Sequence, residues 1–172
     1  LEKTISKAVI KALQSGQPDA ILNAIKTIRS HGLPEHLKPL LEVLKSSDHP
    51  EIFEAIVQLF DDLNDQGAVH HLVIMIEAED SQRMRRILVS SCWKSGLDYS
   101  AHLMPFFKIF VQDDFETAFE AYTLIDSNIH NAKPEEFPVL AEYLKESWAR
   151  IPEDRRMLAS DLVDVMNSYT GT

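Results

Sequence analysis

One apolar spacing, i, i+3, i+4, i+7, returns five times along this chain. Ile5, Ala8, Val9 and Ala12 carry it first, then Leu37, Leu40, Leu41 and Leu44. Val69, Leu72, Val73 and Ile76 follow, then Leu103, Phe106, Phe107 and Phe110, then Phe137, Leu140, Ala141 and Leu144. Side chains at that spacing share one face of an α-helix. The first members stand at 5, 37, 69, 103 and 137, so the pattern repeats in steps of 32, 32, 34 and 34 residues. Helical stripes recurring at such a period predict stacked helical hairpins, an α-solenoid.

A second stripe lies within each period. It runs through Ile21, Ala24, Ile25 and Ile28; Ile52, Ala55, Ile56 and Leu59; and Met84, Ile87, Leu88 and Ser91, with Cys92 beside them. The last two are Ala118, Ala121, Tyr122 and Ile125, and Ala159, Leu162, Val163 and Met166. The expected fold is therefore all-α, a superhelix of about five hairpins and ten helices, forming a single domain over residues 1–172. One hairpin cannot bury its apolar face alone, so neighbours must stack. Hairpins two and four also share identities at an offset of 66. Pro39 matches Pro105, Asp48 matches Asp114, and Phe53-Glu54-Ala55 matches Phe119-Glu120-Ala121.

Punctuation fits this reading. Gly16-Gln17-Pro18-Asp19, His31-Gly32-Leu33-Pro34, Asn64-Asp65-Gln66-Gly67, Glu79-Asp80-Ser81 and Asn131-Ala132-Lys133-Pro134 separate the stripes. Asp48 and Asp98 are expected helix caps, with Pro50 in the first turn that follows Asp48. Pro39, Pro105 and Pro138 fall in first turns, where the missing N–H costs little. The last second-helix stripe starts 41 residues after the one before it, so 147–152 holds extra helix or a longer connection. Arg155, Arg156, Asp161 and Asp164 are expected to form a polar end cap.

The units resemble HEAT repeats, of the armadillo-type right-handed α-α superhelix class. Leu33 to Leu44, reading Leu-Pro-Glu-His-Leu-Lys-Pro-Leu-Leu-Glu-Val-Leu, is similar to that family's first helix. Ser47-Asp48-His49-Pro50-Glu51-Ile52-Phe53-Glu54-Ala55 resembles its turn and the start of its second helix. The family often pairs a turn Asp with an Arg early in the second helix, where this chain has Phe53 and Phe119. Arg83, Arg85 and Arg86, after Asp80, are the exception. A ladder of Asp–Arg pairs is thus expected to be mostly missing. The resemblance implies a scaffold that binds a protein or peptide, with its second helices lining the concave side.

Charge narrows the partner. The formal net charge is −10, whereas nucleic-acid binders carry a basic face that releases counterions. A basic protein or peptide suits an acidic surface better. Glu54, Asp61, Arg86, Glu120 and Thr123, all on second helices, are the expected contact positions. Arg83, Arg85 and Arg86 could instead neutralise the flanking acids or hold a phosphate. The rival reading is a nucleic-acid module, since some HEAT-like proteins are alkylpurine DNA glycosylases. Such enzymes need a basic concave face with aromatic and acidic residues in a cleft, and the charge here is opposite.

The sequence carries no recognisable catalytic or cofactor motif. Cys92 sits beside an apolar stripe, next to Trp93, and reads as a buried packing residue. His70 and His71 point about 100° apart on a helix, poor geometry for a shared metal, and no metal ligand set is expected. Asp113, Asp114, Glu116, Glu120, Glu135, Glu136, Glu142 and Glu146 read as solvated helix faces. Trp93, Tyr99 and Trp148 could stack bases, but packing at helix ends is the plainer expectation. No run is long enough to cross a bilayer, and a single cysteine gives no internal disulfide. Cytoplasm is the expected location.

Overall fold

The structure, a computed structural model, describes residues 2–31 and 34–170, with side chains from 6–30 and 34–169. The side chains of Ile5 and His31, and residues 32–33 altogether, therefore lie outside the described residues. Ten α-helices fill the described residues, and no strand is among them. They are α1 (Glu2–Leu13), α2 (Pro18–His31), α3 (Leu37–Ser46), α4 (Pro50–Asp61), α5 (Ala68–Glu77), α6 (Gln82–Ser95), α7 (Leu103–Gln112), α8 (Phe115–Asn128), α9 (Phe137–Ser147) and α10 (Arg156–Thr170). The fold is all-α. No described helix is long and apolar enough to cross a membrane.

The chain forms two compact units, Leu1–Ala78 and Glu79–Thr172. In the first, α1 packs on α2 and α3 on α4 as hairpins. α1, α3 and α5 also follow one another side by side, and α2 packs on α4. Leu40, Ile52, Ile56, Phe60, Leu72 and Ile76 are almost wholly buried there. Ala8, placed on the first stripe by its spacing, is exposed instead, while Val9 and Leu13 carry that helix's burial.

In the second unit, α8 packs against both α6 and α7, α7 against α9, and α9 against α10. Tyr99, Phe106, Phe107, Phe110 and Phe137 make its core largely aromatic. Tyr99 and Phe106 meet edge to face, with centroids 5.7 Å apart. Two short 3-10 turns, Trp148–Arg150 and Glu153–Arg155, occupy the longer connection before α10.

Helix ends follow local chemistry, with two shifts from expectation. His49, not Asp48, caps α4. Pro50 is the first helical residue, and the residue before a proline is pushed to extended backbone. Asp98 does not cap α7; its carboxylate accepts from the Ser100 amide at 2.9 Å and opens a 3-10 turn. Ser81 caps α6 and Asp114 caps α8. Gly96 ends α6 at φ +67°, a left-handed conformation that side chains with a Cβ disfavour.

Arg155 departs most from its expected place. It is 5% exposed, and its Nη1 donates to the Phe110 carbonyl at 2.7 Å. It satisfies a carbonyl in the last turn of α7 and is not part of a solvated cap. Arg156, Asp161 and Asp164 are exposed.

Candidate functional site

α8 is where packing and exposure diverge most sharply. Its start is fixed by Asp114, whose Oδ1 accepts from the Thr117 amide at 2.8 Å. That bond, with Arg86 and Arg155 nearby, holds the Asp114 carboxyl below the usual carboxylate range. Ala118, Ala121, Leu124 and Ile125 bury one face completely. The opposite face presents Phe115 and Phe119, 49% and 50% exposed.

These rings form a row. Phe115 stacks on Phe119 with centroids 6.2 Å apart and an interplanar angle of 20°. Phe119 stacks on Tyr122 at 6.4 Å and 25°. Tyr122 in turn leans on buried Phe110 at 6.2 Å, which anchors the row to the core. Burial pushes the Tyr122 hydroxyl up, and the carboxylates of Asp126 and Asp161 add to the shift.

Carboxylates border the rings. Glu116 pairs with Arg86 of α6, and its side chain is still 71% exposed. Glu120 accepts the indole N–H of Trp93, which closes α6 and is 37% exposed. The structure therefore gathers Arg86, Glu120 and Thr123 on one α6–α8 surface. Thr123 spends its hydroxyl on the Phe119 carbonyl at 2.9 Å within the helix. Glu54 and Asp61 lie on α4 of the first unit, Glu54 exposed and Asp61 half-buried.

The arginine run is engaged. Arg85 sends Nη1 to both Asp113 oxygens at 2.9 Å, and its Nε to the Glu79 carbonyl at 3.1 Å. It thus ties the start of α6 to the α7–α8 turn. Arg29 bonds Asp62 at 2.6 Å in the first unit. Asp–Arg links between successive hairpins therefore exist: Arg85 is one of the arginines expected to keep such a pair, but its carboxylate is Asp113, and Arg29–Asp62 stands outside the motif.

Reactive groups are withdrawn. Cys92 is wholly buried, and burial pushes its thiol up to about 12. The Tyr99 hydroxyl stands beside it, also raised by burial, without a partner in good hydrogen-bonding geometry. A thiol so protonated is a poor nucleophile. Among the described residues no three His, Cys, Asp or Glu side chains gather as a metal would need.

The sequence reading missed Phe115 and Phe119 as surface groups and took Trp93 for packing. The signal was present. Phe115 and Phe119 recur at i, i+4, offset from the buried Ala118, Ala121 and Ile125. No family model matches the chain, and no curated protein does.

Proposed function

We propose that this chain is a non-enzymatic HEAT-like scaffold that docks a protein or peptide on the α6–α8 surface. The observation that carries the reading is the stacked row Phe115–Phe119–Tyr122, its two phenylalanines half exposed, beside Glu116 and Glu120. Solvent-facing aromatics anchored from below are what partner interfaces use, because they bury much area at little entropic cost. Within each unit, hairpins repeat with first helices beside first helices and second beside second. That layout supports stacked α-α hairpins within each unit, as the superhelix reading requires. Glu54 and Asp61, on α4, are proposed contact positions of the first unit by itself, Glu54 matching Glu120 in the sequence at the offset of 66.

A nucleic-acid partner is less favoured. Arg85 and Arg86 already face Asp113 and Glu116, and a phosphate would have to displace those acids.

The test is selection of a random peptide display library on the full chain. Recovered binders are then measured on wild type and on Phe115→Ala/Phe119→Ala. Loss of affinity by at least about tenfold is the expected result. Binders indifferent to the double variant, or no binders, would overturn the site.

A further inference from the structure

The docking strip has an internal spacing that specifies its partner further. Phe115-Glu116 and Phe119-Glu120 are the same ring-carboxylate pair, four residues apart on one helix. Four residues of α-helix rise about 6 Å. In each pair the ring and the carboxylate leave the helix about 100° apart. One supplies a half-exposed ring and the other a carboxylate with acceptor positions to spare, Arg86 taking one on Glu116 and Trp93 one on Glu120. A guanidinium fits both at once, stacking on the ring while its N–H groups reach the carboxylate. An ammonium has no plane to stack and no fork.

Two features of the strip agree with a guanidinium guest. Glu116 already receives Arg86 of the same chain while its side chain stays 71% exposed, and a carboxylate offers about four acceptor positions. Beyond Tyr122 the strip runs toward Asp126 and Asp161, whose charges reach the Tyr122 hydroxyl. α8 itself carries no Lys or Arg. The rings are thus bordered by acids on α8, Arg86 being the cation paired with one of them.

We propose that the strip takes an extended partner segment with two arginines in the pattern Arg-x-Arg, one guanidinium per ring-carboxylate pair. In an extended strand, residues two apart share a face and lie about 6.7 Å from each other, close to the rise between the two pairs. The proposal rests on the docking reading above and names the partner's chemistry.

The test is calorimetric titration of the full chain with three capped peptides, Ser-Arg-Thr-Arg-Ser, Ser-Lys-Thr-Lys-Ser and Ser-Arg-Thr-Thr-Arg-Ser. The last sends its second arginine to the opposite side of an extended chain. The first should bind roughly tenfold tighter than either of the others. Phe119→Ala should remove that preference, with the melting temperature confirming that the variant is folded. Equal affinity for the lysine peptide, or a preference that survives Phe119→Ala, would overturn the arginine assignment. Weak binding of all three, while display-selected peptides still require Phe115 and Phe119, would overturn it and leave the docking reading intact. Self-association abolished by Phe119→Ala would give the strip to a second copy of the chain and overturn it as well.

Discussion

The two compact units use one hairpin pattern and two packing chemistries. Residues 2–78 bury Leu, Ile and Val, and Phe60 is the aromatic among their described core residues. The second unit buries Tyr99, Phe106, Phe107, Phe110 and Phe137, and with them Asp113, Thr117, Asn128 and Arg155. The Asn128 side chain accepts from the Tyr99 amide at 2.7 Å and donates to the Leu124 carbonyl at 2.9 Å. Buried polar groups of this kind must be matched, so they fix turns that apolar packing alone leaves loose. The exposed aromatics divide likewise, since Trp93, Phe115, Phe119, Trp148 and Tyr169 all belong to the second unit. A periodic pattern therefore says where helices stand, while the exceptions to it mark where a unit is specialised.

The largest expected effect is on the aromatic core. Phe106→Ala should cost about 3–5 kcal/mol, read by denaturant unfolding with hydrogen exchange in α7 and α8. A loss below about 1 kcal/mol would mean that the ring is not load-carrying despite its burial.

Next come the two inter-hairpin ion pairs. Arg85→Ala leaves Asp113, whose side chain is 7% exposed, without its main cation. It should cost about 2–3 kcal/mol, toward the lower side of a buried pair because Arg85 is 22% exposed. Arg29→Ala breaks a pair whose side chains are 42% and 53% exposed and should cost about 0–1 kcal/mol. Equal costs in a double-mutant comparison would erase the contrast between the units.

Smaller again is the α8 cap. Asp114→Ala should lose about 1 kcal/mol, whereas Asp114→Asn keeps an acceptor and should lose little. The Asp114 carboxyl is held lower in the folded chain, so the unfolded chain binds the proton more readily. Its contribution is present above an unfolded value of about 3.9 and is lost as pH falls through the folded one. Asp114→Asn should flatten that acid slope in a series of melts.

Cys92 gives the opposite sign. Its thiol is raised to about 12 in the folded chain against an unfolded value of about 8.5. Its contribution is intact below the unfolded value and is lost as pH rises toward the folded one. A thiol reagent at pH 8 should modify it only when denaturant is added. Rapid modification of the native chain would contradict the burial. The smallest stability change is expected for Phe119→Ala, within about 0.5 kcal/mol, because half of that ring already faces solvent.

Helix positions were legible because burial demands a periodic stripe, and α3, α5, α7 and α9 carry theirs almost residue for residue. Ala8 failed the stripe because a small apolar side chain is tolerated on either face. Asp48 failed as a cap because Pro50 set the boundary one residue later. Charge and helix position picked out Arg86, Glu120 and Thr123, which share the α6–α8 surface proposed for docking. Phe115 and Phe119 were passed over because an aromatic residue in a helical sequence reads as core until its neighbours are known.

By itself the sequence determined the helical class, the period of the apolar stripes and the sign of the charge, since each is a property of local spacing or of composition. Only the tertiary structure decided which of two apolar faces on α8 would be covered. Helical period gives every residue an angle around its axis, but burial depends on what stands opposite. α6 and α7 cover Ala118, Ala121 and Ile125, and they leave Phe115 and Phe119 in solvent. The same holds for Arg155, which spacing places in a polar run and packing draws beneath the end of α7 to meet an open carbonyl.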